Sequence, residues 1–182
     1  MRTISLAIVA LMASVIGAQA QRVSGYVESW NTVGKSGITP QINMFVYGPL
    51  KGKLGWSAFS LTSQSYSQAY GGLTYAPTKW LEVGGNIGLE TADDPTRGAA
   101  TLWLGKGKWS FLSIHETGGS GWWHRDIGKY QLTETFAVGL VSQRFRGNGP
   151  YFEKKFGRIV LWMNVLTNKE GTKAQATVRL NL

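Results

Sequence analysis

The densest set of side chains able to move protons or attack a carbonyl lies between residues 113 and 126: Ser113, His115, Glu116, Ser120, His124 and Asp126. A serine nucleophile needs a base within hydrogen-bond reach and an acid that orients that base. On a strand, Ser113 and His115 stand two residues apart and share a face, while Glu116 points the other way. Spacing alone does not assemble a triad. The plainer reading is a polar rim satisfied by water, with no catalytic residue; the alternative is a lipid or ester hydrolase using His115 or His124. No metal site is expected, because the chain has no cysteine and only two histidines outside any ligand cluster. The glycines sit in strands and turns rather than at a strand-to-helix junction, so no phosphate-binding or dinucleotide loop and no cofactor are expected.

A second set is charged or polar and recurs on one side of alternating segments: Glu82, Asn86, Glu90, Gln143, Glu153, Lys155 and Arg179. Acids and bases facing each other across a lumen can brace it with ion pairs, or select the solutes that pass. These seven are the expected pore-lining residues.

The elements that must position both sets are strands. After residue 20 no segment has a period of 3.6, and period-2 alternation is common. Ala174, Ala176, Val178, Leu180 and Leu182 oppose Lys173, Gln175, Thr177, Arg179 and Asn181. Leu81, Val83, Ile87 and Leu89 oppose Glu82, Gly84, Asn86, Gly88 and Glu90. Leu132, Phe136, Val138 and Leu140 oppose Thr133, Thr135, Ala137, Gly139 and Gln143. A triplet of small residue, Lys or Arg, and large apolar residue recurs: Gly52-Lys53-Leu54, Thr78-Lys79-Trp80, Gly107-Lys108-Trp109, Gly128-Lys129-Tyr130 and Gly157-Arg158-Ile159. Its spacing suits one hairpin per repeat.

Read as turns, these marks give twelve strands: 22–31, 40–48, 53–62, 67–76, 80–91, 98–105, 108–117, 122–127, 129–145, 150–156, 158–167 and 172–182. Ten is the alternative, with 122–127 a loop and 150–167 one strand. Pro40 and Pro150 open strands, and Pro49, Pro77 and Pro95 lie in turns or loops, so none interrupts a ladder. Two segments alternate poorly. Val160, Trp162 and Leu166 oppose other apolar residues, as do Phe45 and Tyr47, which calls for packed lumen positions or a bulge.

The start of the chain reads as a secretory signal peptide over residues 1–20, with Arg2, an apolar stretch 4–16 and the small-x-small site Ala18-Gln19-Ala20. It leaves one domain, 21–182. The formal net charge is +9 and 16% of residues are charged, with a mean hydropathy of −0.11. That average does not exclude a membrane barrel, in which only alternate residues meet lipid. Export and the absence of a recognition fold argue against nucleic acid as the partner of this basic chain. Lys51, Lys53, Lys79, Lys106, Lys108, Lys129 and Arg158 fall in expected turns, from which they can snorkel to lipid phosphates.

The aromatic residues near strand ends fit a membrane–water boundary: Trp30, Tyr47, Trp80, Trp109, Trp122, Trp123 and Tyr130 are the expected interface residues, with Tyr66 and Tyr75 beside them. Signal peptide, hairpin array, aromatic strand ends and the alternating terminal strand 173–182 together resemble the bacterial outer-membrane β-barrel superfamily, including its small porins. The resemblance implies an all-β, antiparallel up-and-down transmembrane barrel with short turns on one side and longer loops on the other. It also implies an outer-membrane location in a Gram-negative-type cell, lipid and the barrel assembly machinery as partners, and passive diffusion of small polar or anionic solutes. A non-conducting structural or adhesive barrel acting through loops such as 118–126 is the alternative. Members of that superfamily typically end in an aromatic residue; this chain has Leu182.

Overall fold

The computed structural model describes residues 23–35 and 37–182; the expected signal peptide lies outside them. Twelve strands follow one another: β1 (Ser24–Gly34), β2 (Gly37–Pro49), β3 (Leu54–Ser63), β4 (Ser67–Thr78), β5 (Leu81–Glu90), β6 (Thr96–Lys106), β7 (Trp109–Gly118), β8 (Trp123–Gln131), β9 (Phe136–Gln143), β10 (Gly147–Phe156), β11 (Ile159–Asn168) and β12 (Gly171–Asn181). Each pairs antiparallel with the next, and β12 returns to β1, closing the barrel. The seam runs from Tyr26 opposite Asn181 to Val33 opposite Ala174, and Leu182 N–H donates to the Gly25 carbonyl at 2.9 Å. Closure leaves no edge strand with unpaired backbone groups.

Because side chains alternate along a strand, the pairing assigns every residue to the inside or the outside. The outside is apolar and exposed: Ile87 is 71% accessible, Leu140 69% and Ile38 67%. The two poorly alternating segments need no bulge. In β11, Val160, Trp162 and Leu166 are packed inside, while Ile159, Leu161, Met163 and Val165 face out. In β2, Phe45 and Tyr47 lie on the inward rows opposite Phe59 and Ser57. The one register shift in the β4–β5 pairing is between Tyr75 and Thr78.

The strand map differs from expectation in three respects. β1 and β2 run on to Gly34 and from Gly37. Pro40, Pro77 and Pro150 lie inside β2, β4 and β10 rather than at their starts or in turns. The turn after β8 is displaced. Gly107 and Gly157 open two-residue turns with φ of 61° and 60°, where a glycine pays no Cβ penalty. Gly128 has no such φ, so its triplet continues β8, and Lys129 points inward instead of capping a turn. The actual turn is 132–135, where Thr133 Oγ1 accepts from the Phe136 amide at 3.1 Å. Connections on the side of the termini run from two to four residues; those on the far side run from two to five.

A cluster of Trp30, Val141, Tyr151, Trp162 and Leu166 packs the lumen beside β1 and β8–β12, with Ile127 against it. Trp162→Ala is expected to lower the unfolding free energy by about 3 kcal/mol or more, the usual cost of emptying a packed tryptophan site. Urea titration of the folded barrel in vesicles measures it, and an unchanged midpoint would contradict this packing.

Candidate functional site: the lumen

The inward rows divide the lumen into two unlike halves. On one side the cluster around Trp162 carries a charged layer. The Trp30 and Trp162 rings meet edge-on at 5.5 Å. The Arg125 guanidinium lies 4.3 Å from the Trp30 ring centre and 4.7 Å from that of Trp162. Glu28 accepts from Arg179 Nε at 2.9 Å and from Trp162 Nε1 at 3.3 Å. Glu153 accepts from Lys129 Nζ at 3.0 Å and from the Tyr151 hydroxyl at 2.7 Å. On the other side, β3–β6 turn small residues inward: Ser57, Gly72, Gly84, Asn86, Gly88, Ala99 and Thr101.

At the far end of the small-residue wall, Arg97 sits between Glu90 and Glu116, at 2.7 Å from each. Ser120 Oγ and the Tyr66 hydroxyl also donate to Glu90. Gln68 Nε2 and the Tyr70 hydroxyl donate to Glu116, both at 3.1 Å. Such a pair is stable in a buried place because hydrogen bonds satisfy its remaining lone pairs.

Between the halves lies a cavity of about 360 Å³, reaching from Tyr26, Arg179 and Leu112 to a mouth at Trp122 and Arg144–Arg146. Three cations on it, Arg125, Arg144 and Arg146, have no acid within ion-pair distance among the described residues, and two of these hold buried N–H groups without a partner. Arg125 Nε and Nη2 are buried and have no hydrogen-bond partner there. Arg146 Nη1 is likewise unpartnered, and its Nη2 reaches Gln41 Oε1 only at 3.4 Å. The turn 144–146 that carries Arg146 holds Phe145 at φ 67°, a conformation that costs a side chain about 1 kcal/mol. Lys173 Nζ and Asn168 Nδ2 fix it by donating to the Phe145 carbonyl.

The seven polar residues expected in the lumen, Glu82, Asn86, Glu90, Gln143, Glu153, Lys155 and Arg179, all stand on inward rows. Three of the acids and bases among them are engaged in ion pairs: Glu90, Glu153 and Arg179. The residues that sequence reasoning missed are Glu28, Arg97, Glu116, Arg125 and Arg146. Glu28 and Arg97 have the same parity signal as the seven. Arg125 shares the parity of Trp123 and Ile127 in a short strand without clear alternation, and Arg146 falls between strands, where alternation assigns no face.

Three expected interface aromatics belong inside instead. Trp30 is 4% accessible and packed against Trp162, because it alternates with Glu28 and Thr32 on an inward row. Trp123 lines the cavity, and Tyr47 stands on the inward row beside Phe45, their rings tilted at 5.4 Å. The others lie outside or at the ends. Trp109 and Tyr130 meet at 4.6 Å on the outer wall near the termini, Trp80 is in a turn there, and Trp122 is at the far mouth.

The set between 113 and 126 is split by the barrel wall. Glu116 and Ser120 belong to the inner Arg97 network. Ser113, His115, His124 and Asp126 face outward. Ser113 Oγ donates to Asp126 at 2.6 Å rather than to an imidazole. His124 Nε2 faces Ser142 Oγ at 3.3 Å, but the Asp126 carboxylate approaches that same nitrogen, at 3.9 Å, and Nδ1 has no partner among the described residues. An acid that orients a catalytic base binds its opposite nitrogen, so this arrangement builds no serine–histidine–acid relay.

No family model matches the sequence, and no curated protein matches it significantly. Solved structures do. The chain is similar to the KdgM porin, with a TM-score of 0.61 at 9% identity over 86% of this chain and 99% of that one. The KdgM porin in complex with disordered oligogalacturonate gives 0.61 at 11% identity, over 87% and 99%. The NanC porin gives 0.54 at 14%, over 87% and 100%. At these identities the likeness is one of fold: a closed antiparallel barrel.

Arg97→Met leaves Glu90 and Glu116 without their cation and is expected to cost about 3–5 kcal/mol, as broken buried pairs do. Adding Glu90→Gln and Glu116→Gln should recover much of that loss in urea unfolding. A single variant as stable as the parent would contradict the network.

Proposed function

We propose that this barrel stands in a bacterial outer membrane and lets small anionic solutes diffuse through its lumen. The observation that carries the reading is the pair Arg125 and Arg146, whose buried, unpartnered N–H groups line the cavity. A buried guanidinium without an acid is costly. A site that retains two of them is suited to a ligand that brings the negative charge. The paired cations Arg97, Arg179 and Lys129 are neutralised by Glu90, Glu116, Glu28 and Glu153 and contribute rigidity more than attraction. One of the similar barrels is described with an oligogalacturonate, a sugar oligomer bearing carboxylates, which fits this chemistry.

Membrane residence rests on the outer wall. A continuous surface of exposed Ile, Leu, Val and Met is an aggregation hazard in water and suits hydrocarbon. Outward aromatics near the termini, among them Trp56, Tyr75, Trp109, Tyr130, Phe136 and Phe156, form a girdle. Exposed Lys51, Lys53, Lys79, Lys106, Lys108 and Arg158 stand around it, placed to meet lipid phosphates. Within that reading, export through the signal peptide and insertion by the barrel assembly machinery bring the chain there. The short far-side connections leave an adhesive barrel little loop surface to work with.

In planar bilayers under a salt gradient, the folded barrel is expected to give discrete, anion-selective channels. Arg125→Gln and Arg146→Gln should each reduce the selectivity severalfold. Folded protein that inserts and conducts nothing would turn the reading to a structural barrel. Burial, and then the neighbouring charge of Arg125, pulls the Arg146 pKa down to about 10. Both guanidinium groups stay charged through neutral pH, so the selectivity should be unchanged between about pH 5 and about pH 8.

A further inference from the structure

The outer wall has a place where its apolar relief breaks. Across β4–β7, two neighbouring outward rows read Gly71, Ile87, Gly98, Thr117 and Leu73, Gly85, Ala100, His115, each residue opposite the next. They form a groove of about 620 Å³ that ends against His115 and Trp122. Gly85, Gly98 and Ala100 make the floor, and the exposed side chains of Leu73 and Ile87 stand beside it.

The protein's own packing does not require these glycines. A Cβ at Gly85 would meet nothing within 4 Å, and one at Gly98 only the Asn86 carbonyl oxygen at 3.9 Å. Neither has a positive φ. By contrast, a Cβ at Gly72 or Gly88, on the inward rows of β4 and β5, would fall 2.0 Å from a cross-strand carbonyl oxygen. Glycine within a strand weakens it, and commonly marks a close approach by a ligand or another backbone.

The closed end of the groove is polar. The row through His115 continues to His124, and the next row holds Ser113, Asp126 and Ser142. Both imidazoles approach Asp126, at 3.6 and 3.9 Å. Trp122 stacks on His124 at 4.7 Å, and the Arg144 guanidinium lies 4.9 Å from the Trp122 ring centre. Arg144 has no carboxylate partner among the described residues. Ionisable groups on a lipid-facing wall are costly and point to a function.

Resting on the membrane reading above, we propose that this groove holds one membrane phospholipid with an anionic headgroup. An acyl chain lies on Gly85, Gly98 and Ala100, and phosphate oxygens accept hydrogen bonds from His115 and Arg144, with His124 adding to the positive surroundings from beneath Trp122. The charges are complementary: one carboxylate, Asp126, already engaged by Ser113, stands among three groups able to carry positive charge. In hydrocarbon an acyl chain gains little by exchanging lipid for another apolar surface. Preference for this place must come from close packing on the small floor and from polar contacts at its end.

Native mass spectrometry of the folded barrel, released from micelles containing phosphatidylglycerol or phosphatidylcholine, tests the site. One retained phosphatidylglycerol per barrel is expected, in preference to phosphatidylcholine. Gly85→Leu, whose Cβ would meet nothing within 4 Å and whose side chain would occupy the floor, should weaken retention about tenfold. His115→Ala should leave the chain bound but remove the headgroup preference. Equal retention of the two lipids, capture of lipopolysaccharide in their place, or indifference to Gly85→Leu would each overturn the proposal. Channel activity on the same preparations separates the two readings. Conducting barrels whose lipid retention ignores Gly85→Leu remove the lipid site alone. Non-conducting barrels that retain phosphatidylglycerol through the floor remove the pore alone.

Discussion

Closure of the backbone ladder is the constraint on which the rest depends. Once β12 pairs with β1, a residue's side of the wall follows from its register, and a slip of one position would turn every side chain of a strand over. The register holds around all twelve strands, so Glu28 meets Arg179 across the seam itself. The same constraint separates Glu116 from His115, adjacent in sequence yet on opposite faces of the wall.

Inside that frame, side-chain volume decides where space is left. Trp30, Trp162, Tyr151 and Arg125 fill one half, and the glycines, Ala99 and Asn86 of β4–β6 thin the other. Charge then decides what the space is for. Most inner acids hold a cation, which braces the wall and cancels their field. Arg125 and Arg146 remain without an acid at the cavity, and their positive field is what an anion would meet. Packing and selectivity are thus two consequences of one uneven distribution of residues, because the tryptophans that fill the lumen also seat Arg125.

Much of the fold is legible in the chain because β5 and β12 alternate cleanly; Glu82, Glu90 and Arg179 could be assigned to a face by counting. Other parts are not. The triplet Gly128-Lys129-Tyr130 has the same composition as the two turn triplets built on Gly107 and Gly157. Only the backbone angle distinguishes them, and tertiary pairing sets it. Trp30 fits a girdle by type and position near a strand end, but its inward neighbours Glu28 and Thr32 carry the better signal. The set between 113 and 126 looks like one loop cluster in sequence; strand alternation divides it, and no local motif announces that.

Outside, the same alternation leaves a wall whose exceptions are informative, since a lipid-facing glycine with room above it and a lipid-facing histidine are both unfavourable by default. The central claim concerns the inside: Arg125 and Arg146 are left unpaired in order to meet an anion. Anomalous diffraction from crystals of the barrel soaked in bromide tests it most directly. The account predicts a bromide within hydrogen-bond reach of both guanidinium groups. A cavity without bromide, or Arg125 paired to a carboxylate of its own chain, would contradict it.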